Sequence, residues 1–153
     1  MCISAFMAFL HHLAAFTVVG ALAAEVALFK PPLTVIQARR VQRADQLFGA
    51  AAAILLIVGL SRVFYFEKGA GYYFADAFFL AKLTAFVLAA LLSIYPTVLF
   101  LSWRQGLAQG KAPEISTTQA RRARLCLMWE LTAIVAILFC AAFMARGFGY
   151  LGH

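Results

Sequence analysis

Charge is scarce in this chain: 12% of its 153 residues are Asp, Glu, Lys or Arg, and only 6 are acidic. With 65% hydrophobic residues and a mean hydropathy of +0.90, that scarcity excludes an ordinary soluble domain and leaves an integral membrane protein. Cysteine is sparse too. Cys2, Cys126 and Cys140 have no C-x-x-C spacing, which argues against an iron–sulfur cluster or structural zinc and leaves them as small packing residues. No stretch interleaves basic and aromatic residues as a nucleic-acid reading surface does. The net charge of +7 therefore belongs to topology and anionic headgroups. The sequence has no internal repeat and no low-complexity tract. Its N-terminal apolar run lacks a basic n-region and exceeds a signal h-region in length, which predicts an uncleaved helix.

Long apolar runs are what remains. Four of them, near 3–29, 45–66, 76–103 and 121–146, can each cross a hydrocarbon core of about 30 Å, which needs about 20 helical residues. The expected fold is all-α: one four-transmembrane-helix bundle over 1–153, packed through small residues because lipid tails give no hydrophobic drive for helix association. Lys30-Pro31-Pro32 ends the first helix, Gly69-Ala70-Gly71 links the second to the third, and Pro96 predicts a kink inside the third. Lys30, Arg39, Arg40 and Arg43 lie in the first loop and Arg104, Lys111, Arg121, Arg122 and Arg124 around the third. The second loop is nearly balanced. By the positive-inside rule the first and third loops are cytoplasmic and both termini outside.

Polar residues inside such helices are costly and mark function by default. His11 and His12, Arg62, Lys82 and Arg146 come from four helices and share the outer half. Like charges in low dielectric repel, so this group asks for an anion. Glu25 and Glu130 lie in the inner half. His11 and Glu25 are about four turns apart and share a face, whereas His12 points elsewhere. One interior wall, extended by Lys82 and Ser93 on the third helix, could carry a proton relay.

Haem b unites these groups: iron takes a neutral histidine axially, propionates seek Arg or Lys, and the macrocycle wants apolar walls. Adjacent histidines cannot ligate one iron from opposite faces. His11 is then the ligand, with His12 the alternative, and the remaining imidazole bonds elsewhere or contacts a propionate. Lys82 serves as sixth ligand or, with Arg62 and Arg146, as propionate partner. Plainer readings stand beside these. The histidines can snorkel or bond a neighbouring carbonyl, and Glu25 and Glu130 can pair with loop cations such as Arg43 or Arg104. Asp45 reads as a helix start and charge partner of Arg43, and Trp103, Arg104, Tyr72 and Tyr73 as interfacial anchors.

Leu13 to Phe16 after the histidine pair, Arg62-Val63-Phe64-Tyr65-Phe66, Lys82, Leu92-Ser93-Ile94, Pro96-Thr97 and Trp103-Arg104 together resemble a family of small bacterial membrane proteins, domain of unknown function 2214. The resemblance implies a multi-pass protein of the bacterial cytoplasmic (inner) membrane. Leu10-His11 and Ala81-Lys82-Leu83-Thr84 are also similar to steps in the four-helix haem-binding protoporphyrinogen IX oxidase family. That similarity implies His11 as haem ligand and Lys82 as its functional partner.

The expected function is accordingly a membrane-embedded b-type haem protein with an electron-transfer or oxidoreductase role, Glu25 and Glu130 assisting proton movement. A non-catalytic accessory subunit of a larger membrane complex is the second class, and a proton-coupled transporter the third. The partners these admit are the lipid bilayer, a redox partner or larger complex, and a second copy of the chain.

Overall fold

The computed structural model describes residues 2–66 and 76–146; the Gly69-Ala70-Gly71 link and the expected anchors Tyr72 and Tyr73 lie outside them. Helix α1 spans Cys2–Leu28, and α2 spans Val35–Ser61 and continues through a π-helical turn at Arg62–Phe66. Helix α3 is Ala77–Ser102, α4 is the short Arg104–Ala108, and α5 is Thr117–Ala145. The protein is all-helical among the described residues. Four segments, Ile3–Leu28, Val35–Tyr65, Ala77–Ala108 and Thr117–Met144, are long and apolar enough to cross a membrane.

Two helices begin earlier than their apolar runs suggest, and capping chemistry is the reason. The Thr34 hydroxyl accepts from Gln37 N at 3.3 Å while Gln37 Oε1 accepts from Thr34 N at 2.9 Å. This reciprocal capping box satisfies two otherwise orphaned donors. It starts α2 ten residues before the expected position 45. Ser116 and Gln119 make the same box at the head of α5, where the expected start was 121. Asp45 is therefore no helix start: it lies three turns inside α2 and is buried. At the head of α3 the Asp76 carboxylate accepts from Phe78 N and Phe79 N at 2.8 and 3.1 Å, as an N-cap acid should. Gly110, with φ +74°, turns the chain out of α4 in the left-handed region that favours glycine.

The long helices form two antiparallel hairpins, α1 with α2 and α3 with α5, each packed along its length. Between hairpins the contacts are sparser: α1 approaches α5 and α2 approaches α3, while the backbones of the diagonal pairs α1/α3 and α2/α5 stay farther apart among the described residues. The four long helices thus stand in a square array, and the boundary between the two hairpins is here called the seam. The end carrying the 29–34 and 109–116 connections is here the loop half; the opposite end is the terminal half.

The buried hydrophobic cluster occupies the loop half. Its members on α1 start at Val18, on α2 stop at Ala51, on α3 start at Leu99 and on α5 stop at Ile134. Phe29, Phe100 and Trp103 close it with ring centroids 5.0 to 6.5 Å apart. Trp103 is thus a core residue, not the interfacial anchor its position suggested. Gln42 Nε2 donates to Phe100 O at 2.5 Å, and Arg39 donates to Leu107 O at 2.7 Å. These bonds tie α2 to the end of α3 and to α4. The outward faces present Phe6, Phe9, Phe16, Leu91, Val98 and Trp129, the surface expected of helices solvated by lipid.

Candidate functional site

The terminal half gathers the imidazole and cations. His11 is half-buried, and its Nδ1 is buried with no hydrogen-bond partner. The ring lies against α2 at Gly59: a Cβ built there would stand 3.3 Å from His11 Cε1. Glycine is what lets the imidazole approach the backbone so closely. Arg62, Lys82 and His12 lie within electrostatic reach of His11. Lys82 is half-buried with Nζ 5.3 Å from the Phe79 ring centroid, and Arg62, Asp76 and Cys140 are within its reach. Four helices and the π-turn thus contribute to one cluster. Asp76, which is fully buried with Oδ2 unpartnered among the described residues, brings a carboxyl group to the cluster that the cation count alone had left out.

Two expected members stand apart. His12 is exposed, and its Nδ1–H donates to Ala8 O at 2.6 Å. Of the twin imidazoles only His11 turns to the interior, and their rings meet edge to face at 6.0 Å. Arg146 caps α5, is exposed, and is not among the charges that bear on His11 or Lys82 in the described residues.

The loop half gathers the acids. Antiparallel register follows from the His11–Gly59 contact: Glu25 is fourteen residues on from His11 and Asp45 fourteen back from Gly59. Fourteen residues are close to four whole turns. The face that joins His11 to Gly59 therefore joins Glu25 to Asp45 at the other end. Glu130 of α5 completes the group, since Asp45 and Glu130 are within electrostatic reach of Glu25 and Asp45 is within reach of Glu130. Thr97 of α3 donates to Asp45 Oδ1 at 2.6 Å. Glu25 and Glu130 are each 1% exposed and Asp45 5%. Neither Arg43 nor Arg104 reaches them; both are exposed, and the charges felt by Glu25 are the other two acids. Ser93, the inward end of the expected polar stripe, spends its hydroxyl on Ala90 O of its own helix.

A family model described as "Predicted membrane protein (DUF2214)" matches residues 3–149. The chain belongs to this family. No curated protein and no solved structure matches it. The family description agrees with the four apolar spans and says nothing of chemistry, which has to be sought in the two clusters.

Gly59, Asp76, Asp45 and Thr97 are the residues that sequence reasoning passed over as site members. A signal existed for Asp45. Reading Thr34-x-x-Gln37 as a capping box extends α2 backward and places Asp45 inside it, on the face of Gly59. Thr97 had no such signal, because its partner is 52 residues away.

Proposed function

We propose that the protein is a b-type haem protein of the bacterial cytoplasmic membrane with an electron-transfer or oxidoreductase role, its ligand seated in the terminal half of the seam. The observation that carries this reading is His11: an interior imidazole with a buried, unpartnered Nδ1, placed outside the continuous core and beside Arg62 and Lys82. A single neutral imidazole with neighbouring cations is the donor set a propionate-bearing haem demands, and the residues present fit it. His11 would hold the iron, and the Gly59 backbone would keep its ring in place. Arg62 and Lys82 would meet the propionates, with Asp76 beside Lys82 setting the local balance of charge. When bound, the group supplies a one-electron redox couple. Glu25 and Glu130 hold protons on the same helices, α1 and α5, that border the seam. The arginine-bearing connections of the loop half lie on the cytoplasmic side in this reading, which accords with the positive-inside rule.

The test is an optical spectrum of protein purified in mild detergent after expression with ample haem supply. A Soret band with split reduced bands is expected. His11→Ala should abolish it and His12→Ala should retain it. Colourless wild-type protein, or a spectrum indifferent to His11→Ala, overturns the proposal.

A further inference from the structure

From the buried acids of the loop half we infer that Glu25, Asp45 and Glu130, anchored by Thr97, form an internal proton-binding site: protons are the ligand that makes this carboxyl trio tenable in the membrane core. The inference extends the proton role proposed for Glu25 and Glu130 and adds Asp45 and Thr97 to it, but it does not depend on haem.

Three acids from three helices converge at a level where each side chain is more than nine-tenths buried. Glu25 Oε1 and both carboxyl oxygens of Glu130 are buried with no hydrogen-bond partner among the described residues. Burial of an isolated carboxylate costs several kcal/mol or more, and neighbouring like charges add to it. Some positive charge has to accompany them. The facing groups from each packed element are Asp45 on α2, Glu130 with Cys126 one turn before it on α5, and the uncharged Thr97 on α3; no cation is among them in the described residues. A metal ion needs several donors aimed at one point, and no three His, Cys, Asp or Glu groups among the described residues are so arranged. Protons carry no such requirement. Each sits on one oxygen, and an unpartnered carboxyl can both hold and donate one.

The surroundings suit a site that exchanges slowly. Phe29, Phe100 and Trp103 cover it toward the loop end, and Leu22 and Leu127, almost wholly buried, are core neighbours on α1 and α5. On α3, Thr97 directly follows Pro96. That proline has no N–H to offer the Leu92 carbonyl one turn earlier. Thr97 is a positioning residue: its hydroxyl fixes one oxygen of Asp45 and leaves the other to its neighbours.

The experiment is infrared spectroscopy of the full chain in lipid nanodiscs at neutral pH, read in the carbonyl-stretch region of protonated carboxyl groups, with exchange into deuterated buffer. Wild type should show such a band, shifting slowly on exchange. Glu25→Gln and Glu130→Gln should each remove part of it, and Thr97→Val should displace the Asp45 contribution without removing it. Gln is the neutral analogue of protonated Glu, so both Gln variants should melt no lower than wild type. Absence of the band in folded wild type overturns the inference. A band unchanged in both Gln variants overturns it equally, as does a large loss of melting temperature on Glu130→Gln. A colourless protein that shows the band would sink the haem proposal and leave this one standing.

Discussion

The loop half buries three carboxyl-bearing side chains behind a continuous apolar core, whereas the terminal half holds its imidazole and cations half-buried outside that core. The two ends also differ in sign. Helix α1 contributes one residue to each, His11 and Glu25, on a single face. In the loop half, interdigitated Phe, Leu and Trp side chains exclude water and lipid from the acids, so whatever neutralises them has to be small. In the terminal half His11, Arg62 and Lys82 are only half-buried and lie outside the continuous core, so the packing around them is less complete. Packing density, more than residue type, separates the proton site proposed for one half from the cofactor site proposed for the other.

The comparison is most open to attack at its core. Phe100→Ala removes a fully buried ring from the loop half and should cost about 3–5 kcal/mol, read from thermal or denaturant unfolding in detergent. Phe79→Ala takes away the same volume from a buried residue outside the core cluster and should cost less. Equal losses would break the contrast between the halves.

Thr97→Val should destabilise by about 1–3 kcal/mol, because it strands a buried oxygen of Asp45. Ser93→Ala on the same helix, where the hydroxyl only bonds Ala90 O, is the control and should stay within about 0.5 kcal/mol. If the two variants unfold alike, Thr97 has no special place in the acid site.

Gly59→Ala separates stability from function in the terminal half. A helix-interior Gly→Ala change favours the fold by up to about 1 kcal/mol, but the new Cβ meets His11 Cε1 at 3.3 Å and has to push the ring by a few tenths of an ångström. The expected result is a melting temperature unchanged or raised, with a shifted or weakened Soret band. An unaltered spectrum would show that the His11–Gly59 contact does not position the ligand.

His12→Ala should have the smallest effect, within about 0.5 kcal/mol, since the side chain is exposed and bonds only a carbonyl of its own helix. A larger loss, measured in the same unfolding assay, would mean that the twin histidines act as a unit.

Four spans, their order and the interior turn of His11 were legible in the residues because hydropathy and helical phase are local properties, set within each segment. Helix starts were legible in principle and missed in practice: Thr34-x-x-Gln37 and Ser116-x-x-Gln119 are sequence signals, but the apolar runs begin later than the capping boxes and drew the boundaries inward. The site was legible only in part. His11, Lys82, Glu25 and Glu130 announce themselves as polar residues in apolar helices. Asp45, set among arginines, reads as a surface residue until α2 is extended around it, and Arg146 looks level with the cluster until the end of α5 is seen to hold it at the surface.

By itself, the amino-acid sequence determined that this protein is a four-span membrane bundle with an imidazole and cations toward one end and acids toward the other. Period, length and hydropathy are enough for that, since each helix satisfies its own backbone hydrogen bonds in lipid. Only the tertiary structure decided which groups meet: that Gly59 receives His11, that Asp45 joins Glu25 and Glu130, that Thr97 reaches across from α3, and that Trp103 turns inward. Those pairings depend on the register and rotation of separate helices against one another, which side-chain packing sets and no single segment encodes.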